Sequence, residues 1–258
     1  MPPNKPATPD PARTLSLLWR HDLSPQRTRG PRQSLTADQV VEAAITIASA
    51  EGLDAVTVRS VAQAVGASPM SIYTYVPGGK TELLELMIDA VYLRAERPEL
   101  DRLDWRERVR SLADQNRALY AAHPWLIHAG ASRPPLGPGV ITKYEYELSA
   151  FDGLGLSDVE VDAALTFVLG FVQANARSAA DAAALPEATA MTDEAWWQAQ
   201  ADLLRRVVDP KKFPRATRIG EAAGAAQGGA YEADAAYRFG MDRVLDGLEK
   251  LVERRKAR

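Results

Sequence analysis

Between Ser68 and Val76 the chain reads Ser-Pro-Met-Ser-Ile-Tyr-Thr-Tyr-Val, which crowds two serines, a threonine and two tyrosines into nine residues. Wound as a helix, Ser71 and Thr74 present hydroxyls that can donate to or accept from base edges or phosphates, and their carbon atoms can touch thymine methyls. Tyr73 and Tyr75 carry hydroxyls suited to phosphate oxygens, and Tyr73 can also pack. Ile72 is the main buried anchor, with Met70 beside it. So short and polar a helix is poorly suited to a core. Its chemistry fits the display of hydrogen-bonding groups in a DNA major groove.

Covalent or metal chemistry has less to draw on. The chain has three histidines, His21, His123 and His128. The last two are five residues apart with Pro124 between them, which does not place them on one helix face as zinc ligands require. There is no cysteine, hence no disulfide and no thiolate. No serine sits in a nucleophile-elbow pattern, and the glycines near residues 224 to 229 follow no strand and lack the dinucleotide fingerprint. No cofactor and no metal are expected. An enzyme is the weaker reading. A helical adaptor, whose paired helices carry a surface tyrosine pair and bind no DNA, is the other competitor.

The flanking elements are those that would position the short helix. Val58, Val61, Ala62 and Val65 fall at i, i+3, i+4 and i+7, one buried stripe of a preceding helix that Thr57 can cap. Gly66 frees the backbone for a tight turn, and Ser68 followed by Pro69 is a strong start signal for the second helix. Upstream, Thr36 and Gln39 form a capping box, with Leu35 and Val40 as its hydrophobic staple, and Gly52 ends that helix. Downstream, Gly78 and Gly79 break the chain. Lys80 then stands at the start of a fourth helix carried by Leu83, Leu84, Met87, Ile88 and Val91. A lysine there opposes the helix dipole, unless it and the neighbouring amides meet a phosphate.

From about residue 35 to 95 this run resembles the DNA-binding domain of the TetR family of transcriptional regulators. An Ala-rich first helix ends in Ala-Glu-Gly, followed by the Thr57–Gly66 scaffold helix, the Ser68–Val76 recognition helix and a Lys-Thr-Glu-Leu-Leu opening of the fourth helix. The loop from Pro77 to Lys80 is one residue longer than the usual form. The resemblance implies that Arg59, Ser68, Met70, Ser71, Tyr73, Thr74, Tyr75 and Lys80 stand at base- or backbone-contacting positions. For Arg59 an internal ion pair is the competing explanation.

Charge is uneven. Residues 1 to 35 carry six basic groups against Asp10 and Asp22, a net +4, while the whole chain is −3, so the rest is −7. A basic front on an acidic body suits a protein that touches DNA through one end. Residues 1 to 34 are expected to be a flexible basic extension. Residues 12 to 22 could form a short helix, docked or fraying, and Arg27, Arg29 and Arg32 could enter a minor groove. No apolar run approaches a membrane span, Leu15 to Trp19 being far too short, and a cytoplasmic protein is expected.

Beyond residue 95 the pattern stays helical. Helices are predicted from Asp104 to about Ala122, around Trp125, from about Val140 to Phe151, from Ser157 to about Ala184, from Thr192 or Asp193, and from about Tyr231 to Arg254; Gly220 to Ala230 reads as a mobile stretch. The architecture is therefore all-α, a helix-turn-helix reader (35–95) followed by a larger helical domain (96–258). In the TetR family that second domain forms the homodimer and binds a small effector. The resemblance implies a ligand-responsive regulator, most often a repressor, that binds a palindromic operator as a dimer and is released by the effector. Here the helices from Ser157 and Tyr231 are the candidate dimer interface. Trp125, His128, Phe167, Phe171, Asn175 and Trp197 are candidate contacts for an apolar or aromatic effector, although ordinary core packing explains each of them as well.

Overall fold

The computed structural model describes residues 10–23, 35–129, 134–227 and 232–257. Among these, every regular element is a helix: α1 (Pro11–Leu18), α2 (Arg20–Leu23), α3 (Ala37–Glu51), α4 (Val58–Ala64), α5 (Pro69–Tyr75), α6 (Gly79–Arg94), α7 (Trp105–Ala122), α8 (Pro138–Ser149), α9 (Asp158–Thr189), α10 (Asp193–Val207), α11 (Pro214–Gln227) and α12 (Ala233–Lys256), with short 3₁₀ turns at Leu53–Ala55 and Pro124–Ile127. Arg27, Arg29 and Arg32 lie outside the described residues, as does Tyr231.

Packing divides the chain into two compact units, residues 1–165 and 166–258. In the first, α3 buries Val40, Val41, Ala44, Ile45 and Ala48. These meet Val61 and Ala62 of α4, Ile72 of α5 and Leu83, Leu86, Met87 and Ile88 of α6 in one apolar cluster. The boundary expected near residue 95 falls inside this unit, where α6 packs along α8. At that crossing Asp89 accepts a hydrogen bond from the Val140 amide at 2.9 Å, which satisfies an otherwise orphaned donor at the α8 N-terminus. Burial pushes the Asp89 carboxyl up, against the lowering effect of the Val140 and Gly139 amides.

Of the two outcomes open for residues 12–22, a docked helix or a fraying one, the structure has the first: residues 10–23 carry α1 and α2, docked on the first unit with Leu18 buried in the α3–α6 core. Pro11 at the helix start and Asp10 accepting from the Arg13 amide begin α1 locally. Much of the stretch from Gly220, expected to be mobile, belongs to α11, which continues to Gln227. Its alanines offset the glycines, each of which costs only about 1 kcal/mol in a helix.

In the second unit, α9 contributes Val168, Val172 and Ala176 and α12 contributes Tyr237, Met241, Val244, Leu245 and Leu248 to buried positions. Phe171 stacks on Tyr237 with ring centroids 5.9 Å apart and its ring lies against Gly240, where a Cβ would overlap it. The span Asp158–Ala184, with a mean hydropathy of 1.2 over its most apolar window, is long and apolar enough to cross a membrane by length and composition alone. The expectation that no run approaches a span is thereby corrected: alanines and single polar residues break this one into short apolar pieces.

Candidate nucleic-acid interface

Four helices hold the reading surface. Thr57 caps α4 reciprocally with Ser60, and the Ser60 hydroxyl also donates to the Ala55 carbonyl at 2.7 Å, which ties α4 to the turn after α3. Gly66 adopts φ +66°, a conformation that needs glycine to be unstrained, and the Ala67 amide returns to the Ala62 carbonyl at 2.9 Å. Ile72 and Val76 are each 1% exposed and fasten α5 from beneath.

The opposite face of α5 is open. Met70 is 76% exposed and Tyr73 44%, and Ser68 and Thr74 are exposed beside them. Tyr75 is half-buried against the core, so packing claims part of this side chain. Ser68 accepts from the Ser71 amide, and the two serine hydroxyls lie 2.8 Å apart. Ser68 therefore works first as a cap, and Ser71 shares its hydroxyl with it. Met70, Tyr73 and Thr74 are the side chains of α5 most available to a partner.

Arg59 stands exposed at the second position of α4 and forms no ion pair among the described residues. Lys80 is exposed too, but its ammonium donates to the Leu53 carbonyl at 3.0 Å. That bond joins the start of α6 to the turn after α3 and leaves further N–H donors for a phosphate. The surface thus gathers Arg59, Met70, Ser71, Tyr73, Thr74 and Lys80 around one short helix.

This arrangement has known counterparts. Residues 40–87 match the model for bacterial regulatory proteins of the tetR family, and residues 97–252 match that for the tetracyclin repressor-like C-terminal domain. The chain belongs to the TetR family. It is 40% identical to the HTH-type transcriptional repressor DrrR1 of Streptomyces coeruleorubidus over 96% of this chain and 88% of that one. Apo ActR from Streptomyces coelicolor superposes with a TM-score of 0.70 at 26% identity, covering 86% of this chain and 98% of ActR. ActR in complex with actinorhodin gives 0.69 at 26% identity over 85% and 96% of the two chains. This TetR-family protein is thus a ligand-responsive, DNA-binding transcriptional regulator and not an enzyme.

The regulator's six sequence-derived effector candidates are scattered. Trp125 is 3% exposed and sits in the reader's apolar cluster. Its indole N–H is buried with no hydrogen-bond partner among the described residues. His128 is exposed. In the second unit, Phe171 packs on α12, Asn175 donates to the Ala233 carbonyl at 3.3 Å, Phe167 is exposed, and Trp197 packs edge-on against Trp196 at 5.1 Å.

None of the six lines the cleft beside Lys143 in the first unit, nor the more open one along α7 at Leu103, Arg110 and Asp114. In the first of these, about 350 Å³ lies between the end of α6, α7 and α8, bounded by Ala95, Arg97, Gln115, Asn116, Lys143, Tyr146 and Glu147 among others. Lys143 pairs with Glu147, which also accepts from the Asn116 amide at 2.7 Å. Gln115 donates to the Tyr146 hydroxyl at 2.9 Å, and that hydroxyl donates to the Pro98 carbonyl. Burial pulls the Lys143 ammonium down, the Arg97 charge adds to this, and Glu147 opposes both. The nearby Tyr120 phenol is pushed up to about 12, by burial first and by the Glu147 charge second. Tyr146 belongs to the aromatic stock that the sequence offers an effector, but Gln115, Asn116, Lys143 and Glu147 went unread; their only local trace is the spacing of Lys143 and Glu147 by four, which reads equally well as a surface pair.

Proposed function

We propose that two copies of this regulator hold a palindromic operator, with α5 of each in successive major grooves, and that a small effector in the larger domain releases the DNA. The exposed face of α5, fixed from below by Ile72 and Val76, is the observation that carries the reading. Repression is the mode that the DrrR1 relative supports, and the cytoplasm is where such a protein meets the chromosome. Arg27, Arg29 and Arg32 add a basic stretch before α3, suited to the adjoining minor groove. Selection of duplexes from random-sequence DNA by the full-length protein tests the reading. An enriched inverted repeat is expected; a pool that stays unstructured would return the protein to the adaptor class.

The second copy is expected against α9 and α12. Phe167 is 58% exposed and Phe239 67%, and large aromatic side chains left open on two long helices suit burial in a two-fold interface. Replacing both by glutamate should convert a dimer to a monomer at micromolar concentration, as read by sedimentation equilibrium. An unchanged mass would place the interface elsewhere.

The cleft beside Lys143 is the proposed effector site of the first unit. Leu119 and the alanines supply apolar wall, and Gln115, Tyr146 and Lys143 supply donors and acceptors, which suits an apolar or aromatic body bearing a polar group. Effector binding would shift the population toward a dimer whose α5 helices no longer match the grooves, with α6 carrying the change between domains. Actinorhodin, held by ActR, is the first probe to titrate. With a releasing compound in hand, Gln115→Leu and Tyr146→Phe should each raise the concentration needed for release by about three- to tenfold, the worth of one hydrogen bond. Operator affinity without effector should stay within about twofold of the parent protein's, since neither residue belongs to the reader.

A further inference from the structure

The segment before the family match makes contacts that an idle leader would not. On α1, the Thr14 hydroxyl donates to Glu82 Oε1 at 2.9 Å, and Arg13 Nε reaches the same oxygen at 3.4 Å. Thr14 is 7% exposed and Glu82 only 3%. The other carboxylate oxygen of Glu82 accepts from the Gly78 amide at 2.8 Å. Gly78 is the turn residue between α5 and α6. A Cβ on the next residue, Gly79, would lie 3.7 Å from the Tyr73 ring, so this turn runs directly under an exposed side chain of α5.

Four more contacts fix where α1 and α2 sit. Leu18, 3% exposed, enters the same apolar cluster as Ile72 and Val76. The Trp19 indole donates to the Leu136 carbonyl at 2.8 Å, just before α8. Arg20 pairs with Asp38 in the first turn of α3, and His21 Nε2 lies 3.3 Å from the same carboxylate. Burial raises the Asp38 carboxyl, but Arg20 and His21 together leave it lowered. Residues 10–23 are thus held at α3, α6 and the approach to α8, all within the first unit.

We propose that residues 10–23 are a positioning element of the DNA reader, in which Thr14 and Arg13 hold Glu82, Glu82 holds Gly78, and the recognition helix is thereby set for the groove. A carboxylate removed from water needs its donors, because a buried charge left short of partners relaxes toward solvent or a new partner. Here relaxation would release the Gly78 amide and loosen the turn that ends α5. Thr14 touches no DNA in this account. Its effect on operator binding passes through Glu82.

This inference rests on the operator-reading account, and the experiment separates the two. A duplex enriched from random-sequence DNA by the wild-type full-length protein is the probe. Binding of Thr14→Val, Thr14→Ser and wild type is followed by fluorescence anisotropy at several KCl concentrations, beside a scrambled duplex, with thermal unfolding measured in parallel. Thr14→Val, similar in shape but without the hydroxyl, should bind the selected duplex at least fivefold more weakly at every salt concentration. The slope of log affinity against log salt should be unchanged, since no phosphate contact is lost. Thr14→Ser, which keeps the hydroxyl, should bind within twofold of wild type. A residue that serves only stability would lower the melting temperature and leave the affinity of the folded protein alone.

Thr14→Val binding within twofold of wild type, or weakening with a flatter salt slope, overturns the proposal. Should Thr14→Val be unfolded at the assay temperature, Arg13→Gln, which approaches Glu82 from the more exposed side, decides by loss of affinity at constant slope. If wild type enriches no duplex, the operator-reading account falls and this proposal with it; if wild type enriches one and the variants match it, this proposal alone falls.

Discussion

Gly139→Ala is expected to destabilise the protein by about 3 kcal/mol, the upper part of the range for forced overpacking. A methyl at this position would overlap the backbone carbonyl oxygen of Asp89 and stand 2.8 Å from the Leu93 amide nitrogen. Both atoms belong to the hydrogen-bonded backbone of α6, so no side-chain rotation relieves the clash and α8 must move away from α6. Urea unfolding of the full-length protein measures the cost. The neighbouring Gly137 is an internal comparison, because a Cβ there would meet the Asp89 carboxylate instead, which can turn aside. Gly137→Ala should therefore cost less than Gly139→Ala. Asp89→Asn should fail to rescue Gly139→Ala. The folded Asp89 carboxyl is raised, so its contribution is most favourable at low pH and is lost as pH rises from the unfolded carboxylate range through the higher folded value. Asp89→Asn alone should flatten stability across that window. Near-equal costs for the two alanines would mean that α8 does not lie on α6 as closely as described.

Tyr73→Ala and Thr74→Ala are each expected to weaken operator binding by about 1–3 kcal/mol, roughly 5- to 150-fold, the worth of a hydrogen bond to a charged phosphate for Tyr73 and of a base-edge contact for Thr74. Neither should move the melting temperature appreciably, because Tyr73 is 44% exposed, Thr74 is exposed and neither fills the core. Ile72→Ala would be uninformative here, since losing a fully buried isoleucine costs about 2–5 kcal/mol of stability by itself. Arg59→Ala has a different signature. An exposed guanidinium without an ion pair among the described residues, if set against a phosphate, should lower affinity on selected and scrambled duplexes alike and reduce the salt slope by about 1. Affinity for the selected duplex unchanged in both α5 variants would show that another surface reads the DNA.

What the chain disclosed in advance was local. The capping pair of Thr36 with Gln39 spans three residues, Ser68 and Pro69 are adjacent, and the stripe of Val58, Val61, Ala62 and Val65 follows helical periodicity, so all of them mark the sequence directly. The helix expected from Ser157 likewise matches the start of α9 at Asp158. What stayed hidden depends on distant partners. Thr14 and Glu82 are 68 positions apart, and nothing around Thr14 says that a buried carboxylate waits for it. Asn116 and Glu147, 31 apart, read separately as a mid-helix amide and half of a surface pair. Gly139 matters only because α6 lies against it. The aromatic residues misled in the same way, since a tryptophan at position 125 serves a reader core and an effector pocket equally well until its neighbours are known. Gly220 and Gly224 pointed to mobility because single glycines weigh heavily in a local reading, although a run of alanines carries the helix past them.

The central claim is that α5 enters the major groove, once from each of two copies. Interference by guanine N7 methylation tests it most directly, because N7 lies in the major groove and a methyl there blocks a helix seated against it. On a duplex selected by the full-length protein, modified guanines should be excluded from the bound fraction in two patches, related by the symmetry of the repeat and separated by one helical turn or a multiple of it. Bound DNA carrying N7-methylguanine throughout its site as often as free DNA would contradict the account.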